Sequence, residues 1–362
     1  MERRLSRRDI LHIGAGSLAI PAAGARLLGF GDPPVALPQP INPYSKRAVV
    51  SVVKGEERRK IIHDALVAID DQIRPVLKQK KYVVIKPNNV STVRQLAATH
   101  ADTLHGILDY LGPRTKGPVV VAESSAGDTM QGFDNFKYPQ VASDHKPQKV
   151  SLVDLNAEAK YEVVYVLDEN LHPTPVRLAA RLLDPEAFII SAGILKTHNV
   201  TVATLSIKNM TLGAPLHQAP KERPRWNDKR KYHGGVRQTH YDIMVTAQKM
   251  APYWNLAVLD GFEGMEGNGP GSGTPVASRI AIASADFVAA DRVGVEAMGI
   301  NPDWPGCLRF CWMAGLGQYD LAKIDIRGEK LASVAKKYRL HQDIELELQW
   351  LGPMKELPPK LG

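Results

Sequence analysis

The sequence predicts an α/β protein with a mainly parallel or mixed sheet, helices on both faces and irregular long loops. Short apolar runs rich in Val and Ile recur along the chain, and segments with apolar residues at helical spacing stand between them. Strands that alternate with helices are typical of a parallel sheet. With 362 residues and 44% hydrophobic content, the chain is long enough to bury a large core.

The individual elements follow in chain order. Apolar runs predict strands at 47–53, 82–89, 118–125, 149–155, 161–167, 188–196, 255–260 and 279–284. Helical periodicity predicts helices at 56–79, 101–111, 239–250, 286–298 and 308–314. The strands at 82–89 and 188–196 have similar endings, VVIKPNN and GILKTHN, which predicts equivalent strand-end roles for Lys86 and Lys196, on the same edge of the sheet.

Positive charge is concentrated in two segments, although the formal net charge of the chain is +8. Residues 1–26 hold five arginines against two acidic residues, and residues 221–240 hold seven Lys or Arg against two. The rest of the chain is neutral, which argues against an extended nucleic-acid surface, so no nucleic-acid partner is predicted. The second segment contains prolines and glycines, and we interpret it as a lid or loop that steers anions.

The amino terminus predicts an export signal. Arg7 and Arg8 precede a weakly apolar run and the small residues 23–25, a pattern that resembles a twin-arginine signal. We therefore expect the twin-arginine export machinery as a partner and a periplasmic or extracytoplasmic location. A stable membrane span is not expected, because His12, Pro21 and Arg26 interrupt the run.

Four regions follow from these observations. Residues 1–30 form the predicted signal segment and 31–46 a proline-rich linker. Residues 47–330 form the α/β domain, and 331–362 a C-terminal extension.

A cluster of ionisable side chains marks the candidate site. An apolar strand ends at Lys196 and His198, and Lys208 and Asn209 follow in a segment whose apolar neighbours are predicted to be buried. Polar side chains at the end of a strand reach the edge of the sheet where open α/β folds bind ligands. A buried lysine needs an acceptor, an anion or a lowered pKa, so Lys196, His198 and Lys208 are the candidate catalytic residues.

A glycine-rich stretch, residues 260–273, offers backbone amides for an anion and carboxylates for a metal. Its six glycines allow close approach to a ligand, which makes Gly267 and Gly269 candidate ligand-binding residues. We expect Asp260, Glu263 and Glu266 to lie on a flexible loop, where they could pair with lysines or hold a divalent metal.

Two cysteines, Cys307 and Cys311, are the only ones in the chain. Their spacing places them on one face of a predicted helix, where we expect buried small residues rather than a disulfide. Two thiols cannot hold a four-cysteine iron–sulfur cluster, so none is expected in this chain.

Taken together, the motifs resemble the domain of unknown function 362 (DUF362) family over roughly residues 47–327. The matching motifs are Lys86-Pro87-Asn88, Lys196-Thr197-His198, Ile207-Lys208-Asn209-Met210, Asp260-Gly261, Glu266-Gly267-Asn268-Gly269-Pro270, Ser284-Ala285-Asp286 and Asp291. The resemblance implies a ligand-binding role for Lys86, Asn88, Asn209 and His233, and adds Asp291 to Asp260 and Glu266 as candidate metal ligands. Some members of the family carry ferredoxin-like cysteine motifs, from which this chain departs.

Our leading hypothesis is an exported protein that binds an anionic small molecule, with or without a divalent metal, in a cleft lined by Lys, His and Asp. Lys/His acid–base chemistry on that molecule is compatible with the same residues. Three alternatives stay open: a non-enzymatic binding protein, a redox accessory protein beside an iron–sulfur partner, and a metal-dependent hydrolase or isomerase. The last would use His198, His217, His233 or His240.

Overall fold

The structure, a computed structural model, describes residues 44–218 and 225–351. The predicted export signal, nearly all of the proline-rich linker, residues 219–224 of the basic region and the end of the C-terminal extension lie outside the described residues.

Twelve strands are found in the described residues. They are β1 (Ala48–Lys54), β2 (Tyr82–Lys86), β3 (Val119–Glu123), β4 (Val150–Asp154), β5 (Tyr161–Leu167), β6 (Pro173–Ala179), β7 (Ala187–His198), β8 (Val202–Thr204), β9 (Trp254–Glu266), β10 (Thr274–Val276), β11 (Ile280–Ser284) and β12 (Ile324–Gly328). Ten of them form one sheet in the order β12-β1-β11-β9-β7-β2-β3-β4, with β10 on β9 and β8 on β7. Five of its nine strand pairings are parallel, and β5 and β6 form a separate hairpin.

Helices cover both faces of the sheet. They are α1 (Arg58–Val67), α2 (Asp70–Leu77), α3 (Ala101–Leu111), α4 (Thr129–Asn135), α5 (Tyr138–Asp144), α6 (Leu155–Glu158), α7 (Ser206–Gly213), α8 (Val236–Met250), α9 (Phe287–Ala297), α10 (Gly306–Met313), α11 (Leu331–Val334) and α12 (Ile344–Glu347). Buried residues of α1–α5 form one apolar core, and buried residues of α6–α12 belong to the other. The sheet alternates its side chains between the two, since Val84 joins one core and Val83 and Ile85 the other.

The predicted fold class is confirmed: the protein is α/β with a mixed sheet and helices on both faces. Strands β6, β8, β10 and β12 and helices α4–α7, α11 and α12 were not predicted, and two predicted segments have a different structure. The helix expected at 56–79 is interrupted near Ile69 and forms α1 and α2. The stretch from Asp260 to Glu266 is not a flexible loop, because β9 continues through it and pairs with β10 and β11.

The parallel part of the sheet positions the site. Strands β2, β3 and β7 are neighbours that run in one direction, so their carboxyl ends meet at one edge. Lys86 pairs in register with Ser191, whereas Lys196 lies further along β7. Both lysines therefore lie at or near the carboxyl ends of neighbouring parallel strands, although they are not register partners.

The C-terminal segment packs on the same compact unit as the sheet. Val334, Tyr338 and Trp350 are buried. The carboxylate of Glu347 accepts a hydrogen bond from the backbone amide of Val202 at 2.9 Å, next to β8. In the described part of the chain, no helix has the length and apolar character needed to cross a membrane.

Candidate functional site

A cavity of about 430 Å³ lies at the carboxyl edge of β2, β3 and β7. The polar and charged side chains that line it include Lys86, Asn88, Asn89, Glu123, His198, Lys208, Asn209, Lys229, Arg230 and His233. Six of these ten belong to the predicted site. The remaining four, Asn89, Glu123, Lys229 and Arg230, were not selected from the sequence.

A closed set of hydrogen bonds holds the ends of the strands together. We call Lys86, Asn88, Glu123, Lys196 and Asn209 the strand-end network. The Lys86 ammonium lies 2.9 Å from Glu123 Oε1 and donates to Asn209 Oδ1 at 2.8 Å. Asn88 donates to the same Asn209 oxygen at 3.0 Å and accepts from the Lys196 ammonium at 2.6 Å. Every polar end in this network has a partner within it.

Glu123 is the anion of the network. It is 2% exposed, and it also accepts the backbone amides of Asn89 and Ser124 at 2.9 and 2.8 Å. Burial lowers the pKa of Lys86, while Glu123 acts in the opposite direction. Lys86 and Glu123 therefore form a buried ion pair, and both side chains make further hydrogen bonds that offset the loss of water.

Lys196 lies behind the cavity and not on its wall. Its side chain is completely buried, and its ammonium bonds to Asn88 and more weakly to the Ala97 carbonyl at 3.4 Å. Burial lowers its pKa well below the usual value, and Lys208 and Lys86 lower it further. The structure thus places this predicted catalytic residue one side chain away from any ligand in the cavity.

Helix α7 carries Lys208 and Asn209 and is held at both ends. At its start, Asp291 of α9 accepts the backbone amides of Ser206 and Ile207, each at 2.8 Å. At its end, the Lys229 ammonium donates to the carbonyls of Leu212 and Gly213 at 3.1 and 3.2 Å. Acceptors for the free amides at the amino end and a donor to the free carbonyls at the carboxyl end both favour a helix.

Lys208 differs from the other cavity lysines in having no partner. It is 8% exposed, and its ammonium makes no hydrogen bond or ion pair to any residue the structure describes. Burial lowers the pKa of Lys208 to about 7. An amine of this kind is ready either to bind an anion or to lose its proton.

The segment after residue 224 completes the cationic side of the cavity. We call Lys208, Lys229, Arg230 and His233 the basic wall. A short 3-10 helix, Asp228–Tyr232, carries Lys229 and Arg230, and His233 follows it directly. Arg177 fixes the first residue of this helix by donating to the Asp228 carboxylate at 2.8 and 3.0 Å. Burial lowers the pKa of Lys229 to about 7. The basic segment that we interpret as a lid or anion-steering loop also includes residues 221–224, which lie outside the described residues, so that interpretation stays a prediction.

The two cavity histidines present opposite hydrogen-bonding groups. In His198, Nδ1 accepts the backbone amide of Val200 at 3.0 Å, so the proton of the neutral ring is on Nε2. In His233, Nδ1 lies 3.0 Å from the Lys229 carbonyl and donates to it, which leaves Nε2 as an acceptor. Burial lowers the pKa of both rings, well below the usual value for His198. The cavity thus combines a neutral N–H donor with a free imidazole lone pair.

The glycine-rich turn, residues 267–273 between β9 and β10, lies at one side of the cavity. Only Pro270 of this turn is on the cavity wall, so the structure does not place Gly267 and Gly269 against a ligand. Thr197 donates to the Gly267 carbonyl at 2.8 Å, and a Cβ on residue 269 would lie 2.0 Å from the Thr197 carbonyl oxygen. These glycines allow the turn to pack tightly against β7.

The three candidate metal ligands lie in three different places. Asp260 accepts from Thr103 at 2.6 Å and pairs with Arg58 at 3.2 Å, whereas Glu266 accepts the Arg339 amide at 2.9 Å. Asp291 caps α7; burial raises its pKa to about 8, and the two amide donors act in the opposite direction. Within residues 44–218 and 225–351, no group of three or more His, Cys, Asp or Glu could hold a metal ion.

Two other histidines from the sequence hypotheses lie outside the cavity wall. His217 bonds to the carbonyls of Gln218 and Ser125 at 2.7 and 2.5 Å. His240 is buried beside Trp350, and burial lowers its pKa to about 3. Cys307 and Cys311 are buried in α10 with free thiols, as predicted.

Sequence features could have indicated the four cavity residues that were not predicted, which are Asn89, Glu123, Lys229 and Arg230. Glu123 and Asn89 end predicted strands in polar residues, as Lys86 does, and Lys229 and Arg230 belong to the basic segment. Asn89 is 2% exposed, and its Nδ2 has no hydrogen-bond partner in the described residues. Recognising Asn89 and Glu123 required knowing that β2 and β3 are neighbours.

Comparison with known proteins gives a family but no activity. A family model described as a domain of unknown function, DUF362, matches residues 83–296, which is more than half of the chain. No curated protein has significant similarity to the sequence. A crystal structure of a protein from Thermotoga maritima is similar at 12% identity and a TM-score of 0.40; the match covers 62% of this chain and 55% of that one. The family model spans β2, β3, β7, α7 and β9, the elements that build the cavity, and the chain belongs to the DUF362 family.

Proposed function

We propose that this protein binds a small anionic molecule in the cavity at the carboxyl edge of its sheet, with His198, His233 and Lys208 available for acid–base chemistry on it. The observation that carries the proposal is the charge imbalance of the wall. Lys86, Lys208, Lys229 and Arg230 face one described carboxylate, Glu123, which is already bound to Lys86. Positive charge gathered in a cleft attracts and retains anions.

Unused hydrogen-bond donors support the same proposal. The Lys208 ammonium has no acceptor, and Asn89 Nδ2 is unpartnered. The Nε2–H of His198 is a third donor, because the other ring nitrogen is occupied by the chain itself. Donors without acceptors are unfavourable, and Lys208 and His198 lie on the cavity wall, where an anionic ligand would accept from them.

The cavity also has a suitable size and chemistry. A volume of about 430 Å³ is in the range of small-molecule sites. The free lone pair of His233 and the N–H of His198 could accept and donate protons or hydrogen bonds at a bound molecule. A protein that only binds its ligand would use the same cations, so turnover is the observation that separates the two functions.

Calorimetry with a panel of sulfate, phosphate and small carboxylates tests the anion site directly. We expect Lys208→Met to weaken binding by about tenfold or more, because a charge-assisted hydrogen bond contributes roughly 1.5–3 kcal/mol. Lys116→Met is the matched control, since Lys116 is exposed and outside the cavity wall. Equal affinities for the two variants, or no binding of any anion to the parent, would contradict the proposal.

We also propose that residues 1–30 direct export of the folded chain. The Arg7-Arg8 pair, the weakly apolar run that follows and the small residues 23–25 support it. Changing both arginines to lysine should retain the protein in the cytoplasm, as measured by cell fractionation. An unchanged distribution of the double variant would argue that the segment is not a twin-arginine signal.

A further inference from the structure

We propose that Lys208 is a covalent site, whose ε-amine condenses with the carbonyl carbon of a small anionic aldehyde or keto acid to form an imine. This inference rests on the proposed anion site and names the class of its ligand. It starts from a difference among three lysines on one cavity wall.

The three lysines have different surroundings. Lys86 donates to Glu123, Asn209 and the Pro87 carbonyl, and Lys229 donates to two carbonyls at the end of α7. Both are therefore held as hydrogen-bond donors. Lys208 is also buried, with 8% of its surface exposed, but has no acceptor among the described residues.

An unpartnered buried amine favours its neutral form. Removing an ammonium from water without giving it an acceptor is costly, and the cationic neighbour Lys86 adds to the effect. At a pKa of about 7, a large share of the Lys208 side chains carries a nucleophilic lone pair at neutral pH. An ordinary lysine, with a pKa of about 10.4, is almost entirely protonated there. Burial gives Lys229 a similar pKa, but its amine is bound to two carbonyls, whereas that of Lys208 is unpartnered.

The rest of the wall has the groups that such a reaction needs. Lys229 and Arg230 could hold the carboxylate or phosphate of the ligand. His198, with its proton on Nε2, could donate a hydrogen bond to the carbonyl oxygen, as a neutral imidazole does when it polarises a carbonyl. His233 has the free lone pair that can accept a proton from the nitrogen.

The step balances without an oxidant or reductant. The Lys208 nitrogen attacks the carbonyl carbon, a C–N bond forms, and the oxygen becomes the hydroxyl of a carbinolamine. The C–O bond then breaks, and the oxygen leaves as water with the two protons that the amine nitrogen has lost. The product is a neutral imine, which takes up one proton if it becomes an iminium ion.

Reductive trapping tests the inference. The full chain would be incubated with glyoxylate and cyanoborohydride near pH 7, where the hydride converts an imine into a stable carboxymethyl amine, and labelled lysines would be located by peptide mass spectrometry. We expect Lys208 to be labelled at least about tenfold faster than exposed Lys116, because the neutral fraction of Lys208 is much larger than that of an ordinary lysine. Sulfate, which has no carbonyl, should slow the labelling of Lys208 and leave that of Lys116 unchanged.

Two variants keep the test interpretable. Lys208→Arg preserves the positive charge but cannot form an imine, so it should retain sulfate and lose the label. Lys208→Met should lose both. If the parent binds sulfate while Lys208 is labelled no faster than Lys116, the covalent inference fails and the anion site stands. If Lys208 is labelled but sulfate neither binds nor protects it, the anionic class is wrong and the proposed function fails with it.

Discussion

The strand-end network and the basic wall both contain lysines, but only the wall has a lysine, Lys208, without a hydrogen-bond partner among the described residues. In the network, Lys86, Glu123 and Asn209 satisfy one another. On the wall, Lys208 has no partner and Arg230 is exposed. If Lys208 binds an anion as proposed, burial and charge alone do not identify a functional lysine, and the distinguishing feature is that the protein supplies no acceptor for its ammonium.

This comparison assigns the two groups different roles. The network fixes the ends of β2, β3 and β7 relative to α7, because Asn209 also donates to Ser191 at 3.0 Å. The wall leaves donors for a ligand. Changes in the network should therefore alter stability, and changes in the wall should alter binding.

The largest effect should follow from breaking the charge pair. Glu123→Gln keeps the shape of the side chain but leaves the Lys86 ammonium without its anion. It also places the side-chain NH₂ group against the backbone N–H of Asn89 or Ser124, so that two donors face each other. We expect the free energy of unfolding to fall by about 3–5 kcal/mol, as measured by denaturant titration.

A second substitution sharpens this test. Adding Lys86→Met to Glu123→Gln removes the unpaired ammonium, so the double variant should be less destabilised than the sum of the two single variants. A loss of less than about 1 kcal/mol in Glu123→Gln would mean that the pair does not hold the strand ends together.

Intermediate effects on the free energy of unfolding are expected for two residues of the cavity wall, His198 and Lys208, and they should have opposite signs. His198→Ala removes the acceptor of the Val200 amide and should lower the free energy of unfolding by about 1–3 kcal/mol. Lys208→Met should raise it at neutral pH by an amount on the order of 1–3 kcal/mol, because a buried amine without an acceptor is replaced by an apolar chain.

The pH dependence of the Lys208→Met effect has a defined sign. Below pH 7, Lys208 is protonated in both the folded and the unfolded chain, and its burial lowers stability in full. Between pH 7 and about 10.4 the unfolded chain holds a proton that the folded chain lacks, so the penalty shrinks as the pH rises. The gain from Lys208→Met should therefore be greatest at and below pH 7, and a gain that grows toward pH 10 would contradict this assignment.

The smallest expected effect concerns sulfate affinity. Sulfate should bind more tightly when Lys208 and Lys229 are protonated, and in the protein without ligand the pKa of each of these two lysines is about 7. Affinity should be greatest below pH 7 and fall as the pH rises above it, by about tenfold between pH 6 and pH 8 for each lysine that takes up a proton. Calorimetry in two buffers of different ionisation enthalpy measures that uptake. An affinity that is independent of pH would show that neither lysine binds the anion as an ammonium.

Much of the fold could be predicted from local pattern. The apolar runs gave the core strands, and helical spacing gave α3 at its observed bounds, Ala101–Leu111. Helix α7 was missed, because polar Ser206, Lys208 and Asn209 hide a short helix whose ends depend on distant residues. The strand character of residues 260–266 was also missed, since its glycines pack against neighbours that the sequence does not reveal.

The candidate site could be predicted in part. Lys86, His198 and Lys208 follow apolar strands, and the structure brings them to one cavity. Lys196 belongs to the same pattern but lies behind Asn88, a distinction that depends on the register of β7 against β2. The roles of Asp260, Glu266 and Asp291 could not be predicted, because the partner of each carboxylate is remote in sequence.

Helix α7 is fastened at its two ends by side chains from different parts of the chain, and this has a consequence for how relatives diverge. Asp291 fixes the start of the helix deep in the core, whereas Lys229, which grips its end, belongs to the segment that faces the cavity. The exposed positions of residues 225–233, such as Arg230, can therefore be exchanged without disturbing the anchor at Asp291, whereas Asp228 and Tyr232 of the same segment are buried. We expect homologues to keep Asp291 and the helix it caps while these exposed positions vary, so that one frame could serve the proposed binding of anions of different shape.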